Sequence, residues 1–171
     1  MMRWLLAVLL GAAAVHFAAV VATPALIMRG AMARMQQAPV NAFAHTPLAT
    51  SAARAIVRPS PDLAYSSLVF DVSERPLSVT VPLTPPYTSL SGFAANTDNF
   101  FAINDQTAGA GASQIAVLIV GPSTPRAGLA GERVVESPSD RGILLVRRVV
   151  PSAGAFPEID AVRRRAIASL R

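Results

Sequence analysis

The chain has 171 residues and a net charge of +5, from 15 basic side chains, all arginine, against 10 acidic ones, and it contains no cysteine. Disulfides and thiolate metal sites are therefore excluded. Arg3 and Arg29 carry two of the net charges, and the rest of the chain lacks the basic patch of a nucleic-acid binder.

The first predicted element is the uncharged run Trp4–Met28, WLLAVLLGAAAVHFAAVVATPALIM. At 1.5 Å per residue it reaches about 37 Å as a helix, against about 30 Å of bilayer hydrocarbon. Two readings fit. One is a membrane anchor with Trp4 at an interface and Arg3 and Arg29 at the flanks. The other is a cleaved signal peptide, since Val20 and Ala22 have the spacing for cleavage after Ala22. The length and the apolar continuation through Met28 favour the anchor. A short N-terminus before one long domain favours export of that domain, although Arg29 and Arg34 outnumber Arg3. His16 is the ionisable group inside the span, and a neutral imidazole is its expected state. Residues Met28–Gln37 extend the helix beyond the bilayer, with Gly30 as an expected interruption.

Residues 38–61 hold four prolines among small residues and read as an extended linker with one short turn at Ser51–Val57. His45, inside it, is expected to be solvated. From Asp62 onward the period changes to two. Leu77, Val79 and Val81 alternate with Ser78 and Thr80, as on a half-buried strand. Tyr65–Val72, Tyr87–Phe93, Asn99–Ile103, Gln114–Val120, Arg133–Glu136 and Ile143–Val150 complete seven expected strands, separated by Pro, Gly and Asn/Asp turn signals. A closing helix is expected over Pro157–Leu170. Pro157 suits its first position, and Ile159, Val162, Ala166 and Leu170 form its apolar stripe. Asp160 and Arg164 are spaced as an i,i+4 pair. The expected organisation is thus an anchor and juxtamembrane helix (1–37), a linker (38–61) and a β-rich domain (62–171). The fold class is mainly β with one N-terminal transmembrane helix and one C-terminal helix, the strands forming an antiparallel β-sandwich or open barrel.

Asn96, Asp98 and Asp105 could offer oxygens to calcium, but Phe101 and Thr107 stand where an EF-hand counted from Asn96 needs glycine and glutamate, so two turns are the expectation. Arg147 and Arg148 interrupt an apolar strand. Being adjacent they point to opposite faces, and one of them faces the interior, as an anion ligand, as the partner of a carboxylate such as Asp71, or snorkelling at a sheet edge. Arg163–Arg165 form a basic face, solvated or set against anionic headgroups. Walker, G-x-S-x-G, H-E-x-x-H and dinucleotide fingerprints are absent from the sequence, and its two histidines lie in the span and the linker. A carboxylate pair such as Asp71 with Asp105 is the acid–base arrangement left open. No cofactor and no metal are expected.

The stretch Ala64–Gln106 carries Ala64-Tyr65, Phe70-Asp71-Val72, Tyr87–Phe93 and Asp98–Asp105 in the order and spacing of a bacterial family, and Val135–Arg147 follows its closing pattern. In these motifs the chain resembles the domain of unknown function 1254 family. The resemblance implies a β-rich module without an established activity, followed in longer relatives by a second domain, of unknown function 1214. It implies that short anchored members act beside a separate membrane-anchored protein resembling the 1214 family. Asp71, Tyr87, Asn99, Asn104 and Asp105 match its motifs and, with Arg147, are the candidate ligand residues. The expected protein is a single-pass protein of the bacterial inner membrane with a periplasmic β domain. Its expected role is a non-catalytic binding or assembly module of an envelope complex, docking through apolar surface that the closing helix leaves bare. The alternative is a subunit of a hydrolytic or carbohydrate-directed envelope enzyme whose site a partner completes.

Overall fold

A computed structural model describes residues 1–50, 59–126, 129 and 133–171. The first element, α1 (Met2–Met35), is one helix long and apolar enough to cross a membrane. Gly30 does not interrupt it. Pro24 sits inside it, and the Thr23 hydroxyl donates to the Ala19 carbonyl at 2.6 Å, satisfying a backbone acceptor close to the proline. Its last turns leave the apolar run and pack on the domain: Met28 and Met32 are buried against Val69 and Ile143, with Phe93 alongside.

Among the described residues nine strands follow: β1 (Ala44–His45), β2 (Leu63–Asp71), β3 (Leu77–Pro82), β4 (Thr88–Ala94), β5 (Asn99–Asn104), β6 (Gln114–Val120), β7 (Val134–Glu136), β8 (Arg141–Val149) and β9 (Ile167–Leu170). They form a five-stranded sheet ordered β1-β2-β8-β4-β5 and a four-stranded sheet ordered β7-β6-β3-β9. Each pair is antiparallel except β6 with β7. The two sheets face each other in a sandwich. Leu68, Phe70, Leu90, Leu144 and Val146 of one sheet meet Leu77, Val79, Val81, Ile115, Val117 and Ile119 of the other. The alternation in β3 gives the expected inward set, with Leu77, Val79 and Val81 each fully buried. At Gly142 a Cβ would lie 2.2 Å from the Phe93 carbonyl oxygen and 2.6 Å from the Phe70 ring, so glycine is what lets β8 pass there.

Two elements depart from the sequence expectation. The closing helix, α2 (Phe156–Arg163), is shorter than Pro157–Leu170. Its end tightens through Arg165 N–H to the Val162 carbonyl and Ala166 N–H to the Arg163 carbonyl, and the chain then enters β9. β9 pairs with β3 from Thr80↔Ile167 to Leu77↔Leu170, so an edge that the sheet would otherwise expose gains a partner. Ala166 and Leu170, read as helix stripe, belong to the chain leading into this strand and to its end.

The second departure lies between α1 and β2. Asn41 takes a left-handed backbone (φ 65°) and clamps the end of β2, its Nδ2 donating to the Asp71 carbonyl and its Oδ1 accepting from the Asp71 N–H, both at 2.9 Å. Ala44 and His45 then pair with Ser67 and Ser66. The turn expected at Ser51–Val57 lies outside the described residues.

Candidate functional site

The register of the five-stranded sheet separates the candidate residues. Asp71 lies opposite Arg141 at one end of β8, where the carboxylate accepts from Ser73 N–H (3.1 Å) and hydroxyl (2.7 Å) and pairs with Arg141 at 3.4 Å. Asp105 lies at the other end, its N–H bonded to the Thr88 carbonyl, and Thr88 faces Arg148. Seven residues of β8 therefore separate Asp71 from Asp105, about 23 Å at strand rise. Two carboxylates so far apart cannot act on one bond, since even inverting glycosidases hold theirs within about 10 Å. Asn96 and Asp98 close the β4–β5 turn on each other, Nδ2 to Oδ2 at 2.6 Å, with Thr97 at φ 76°. The length of β5 separates them from Asp105. Among the described residues no cluster of metal-ligating side chains forms.

Asn99 is exposed at the start of β5. Asn104, at its end, uses Oδ1 to accept from the N–H groups of Gln106 and Thr107, both at 3.0 Å, a turn-closing role. Tyr87 is half-buried next to the cis Pro85–Pro86 bond. Arg147 lies on the outer face of the sheet in a cross-strand row with Tyr65 and Ser89, and Asn104 extends that row beyond Ser89. Its Nη2 donates to the Ser91 hydroxyl at 3.1 Å. The structure thus brings Asn104 and Arg147 into one row and leaves Asp71 and Asn99 at the opposite end.

The interior arginine of the adjacent pair is Arg148, 1% exposed. Its guanidinium donates to the hydroxyls of Thr84 (2.7 Å) and Thr88 (2.9 Å) and to the Pro82 carbonyl. Burial is the main cause that lowers its pKa to about 10, and repulsion from Arg163 and Arg165 adds to it. A sequence signal existed: Leu144 and Val146 face inward, and 148 continues their parity.

The burial of Arg163 and His45 was not anticipated in the sequence. Arg163, 1% exposed, reaches into the domain from the end of α2. It donates to the Tyr65 carbonyl (2.6 Å) and the Thr46 carbonyl (2.7 Å), and its Nε donates to Asp160 Oδ1 at 2.6 Å. Asp160 also takes the expected i,i+4 bond from Arg164, at 2.7 Å. These bonds, from Arg164 first, hold the Asp160 carboxyl below the usual carboxylate range. His45, expected in solvent, is half-buried, with Nδ1 at 2.8 Å from the Ser66 hydroxyl. A hydroxyl beside an imidazole is the pairing of nucleophilic catalysis, but Ser66 is 1% exposed and faces the interior, where substrate cannot reach it. The contact is structural.

Burial, then the charges of Arg163 and Arg164, lower the His45 pKa. The folded state therefore resists protonation, whereas the unfolded chain takes a proton near its ordinary value of 6.5. Stability is flat above that value and falls as pH drops below it. Asp160, already ionised throughout this range, does not contribute there. Denaturant melts at about pH 7.5 and about pH 5.5 should show the loss, and His45→Gln should remove most of the difference between them.

The sequence family described as "Protein of unknown function (DUF1254)" matches residues 40–168. None of the curated proteins matches the chain. Among solved structures, the VPA0106 protein from Vibrio parahaemolyticus superposes with a TM-score of 0.66 at 14% identity, over 88% of this chain and 35% of that one. An uncharacterized protein from Burkholderia cenocepacia gives a TM-score of 0.48 at 19% identity, over 88% of this chain and 39% of that one. The chain thus spans little more than a third of the length of either. The Vibrio likeness, at that identity, is one of fold. With three-quarters of its length matched, from just before Asn41 into β9, the chain belongs to the DUF1254 family.

Proposed function

We propose that this is a single-pass protein of the bacterial inner membrane, held by α1, whose periplasmic β domain is a non-catalytic binding or assembly module. Its proposed partner is a separate membrane-anchored protein resembling the domain of unknown function 1214 family. The observation that carries the reading is the free edge of β9. Arg171 N–H donates to the Pro76 carbonyl, towards β3. By strand alternation, the N–H and C=O of Ser169 and Ile167 point the same way, and those of Ala168 and Leu170 point outward. Among the described residues no strand takes those outward groups. Among the described residues beyond α1, the exposed large apolar side chains are Ile167 (62%) and Leu170 (36%), both on this strand. An open edge with apolar side chains is an acceptor for an added strand. The Vibrio chain, of which this fold is about a third, supports a role as part of a larger assembly.

A photoreactive residue at Ile167, compared with one at exposed Glu74, tests the docking edge in intact membranes. The expected result is a crosslink to a second anchored protein from position 167 and none from 74. Equal labelling from both positions, or none from 167 at native abundance, would overturn it.

A further inference from the structure

At one end of the sandwich, the β3–β4 loop and α2 face each other across a cavity of about 320 Å³. Pro85, Pro86, Ile159 and Val162 give it apolar walls, exposed Glu158 stands at its side, and Thr84 belongs to its lining. Behind Thr84 lies the buried Arg148 guanidinium. Among the described residues no carboxylate comes within ion-pair distance of it, and its Nε has no partner. Two hydroxyls and a carbonyl are neutral acceptors and leave the positive charge uncompensated, an arrangement that costs stability in a protein interior. The Thr84 hydroxyl accepts from Arg148 and among the described residues donates to nothing, so its own proton is available, polarised by the guanidinium behind it.

We propose that this cavity binds a short alkyl monocarboxylate. The tail lies against Pro85, Pro86, Ile159 and Val162, and the carboxylate accepts from Thr84 and supplies the countercharge that Arg148 lacks. Apolar walls with one placed polar group are what such a ligand needs, and the volume sits at the small end of ligand sites. Glu158 opposes an anion, but as an exposed side chain it is screened by solvent, whereas Arg148 is not. The site does not rest on the anchor, the compartment or the β9 edge.

The full chain in lipid nanodiscs is titrated with hexanoate, hexanol and hexylammonium, read from the amide shifts of Ile159 and Val162. Hexanoate should bind about tenfold more tightly than hexanol, the margin of one charge-assisted hydrogen bond. Thr84→Val, which leaves Arg148 its Thr88 and Pro82 acceptors, should erase that preference by weakening hexanoate far more than hexanol, and Thr84→Ser should restore it. Val162→Trp should fill the cavity and abolish binding of both. The proposal is overturned by equal binding of acid and alcohol, by a preference for hexylammonium, by hexanoate binding that survives Val162→Trp, or by no shifts at all.

Discussion

Val79→Asp unfolds the β domain, whereas Thr80→Asp leaves it folded. Val79 is fully buried in the centre of β3, flanked by Val117 of β6 and Ala168 of β9. A carboxylate placed there faces the opposite sheet's Leu and Phe side chains and has no donor. The cost is several kcal/mol even if the acid goes in neutral, against a total stability of about 5–15 kcal/mol for a domain of this size. Thr80 is half-buried and faces away from the core, between Ala116 and Ile167. An aspartate there loses only β-branched packing, about 1 kcal/mol or less. Loss of the near-UV dichroism and of protease resistance for the first variant, with both kept in the second, is the expected pattern. The reverse pattern would mean that β3 is paired one residue out of register, because a single-residue slip exchanges the two faces.

That prediction needed only the sequence, because period-two alternation on a half-buried strand is a local signal. All seven strands expected from alternation and turn residues are present, with boundaries shifted by one or two residues. β9 was not legible for an equally physical reason. Its four residues have too few alternations to declare a period, and Ala166 and Leu170 fall at helical steps from Val162. What ends α2 is not a breaker in the sequence but tertiary demand: Arg163 is drawn inward to two carbonyls, and β3 takes the following residues as its edge partner. The fate of residues 38–50 was hidden in the same way. Proline and alanine content indicates an extended segment, and an extended segment becomes a strand only when a sheet edge such as β2 is there to receive it. The candidate residues show the limit more sharply. Asn96, Asp98 and Asn104 were visible as polar clusters, yet each spends its side chain on a neighbouring turn. An inward arginine in the 147/148 pair was legible from strand alternation, but the acceptors that receive Arg148, and the burial of Arg163 at all, were not, because they depend on carbonyls and hydroxyls supplied by distant segments.

Arg163→Met should be the most damaging single change outside the sandwich core. The Arg163 side chain ties three segments together: α2 through Asp160, β2 through the Tyr65 carbonyl, and the segment after β1 through the Thr46 carbonyl. Its guanidinium also lies 5.3 Å from the centre of the Phe156 ring. Methionine preserves much of the stem's volume, so packing is a minor part of the loss. The larger part is two carbonyl oxygens deprived of a charged donor, with Asp160 left to Arg164 alone, and removal of one member of a buried pair costs about 3–5 kcal/mol. Arg163→Lys should recover only a fraction, because a single ammonium cannot reach both carbonyls and the carboxylate with the geometry of a fork. Two readouts separate this clasp from general destabilisation. Amide exchange at Thr46 and Ala44 should accelerate more than at Val117 in the core, since β1 pairs with β2 over just two residues and this side chain bridges both segments. The His45 pKa should rise towards its ordinary value, because the Arg163 charge is one of the causes that depress it, while burial keeps it from rising all the way. Uniform acceleration of exchange across the sandwich, with an unchanged His45 titration, would show that Arg163 acts only as part of the core and not as the link between the segment after β1 and α2.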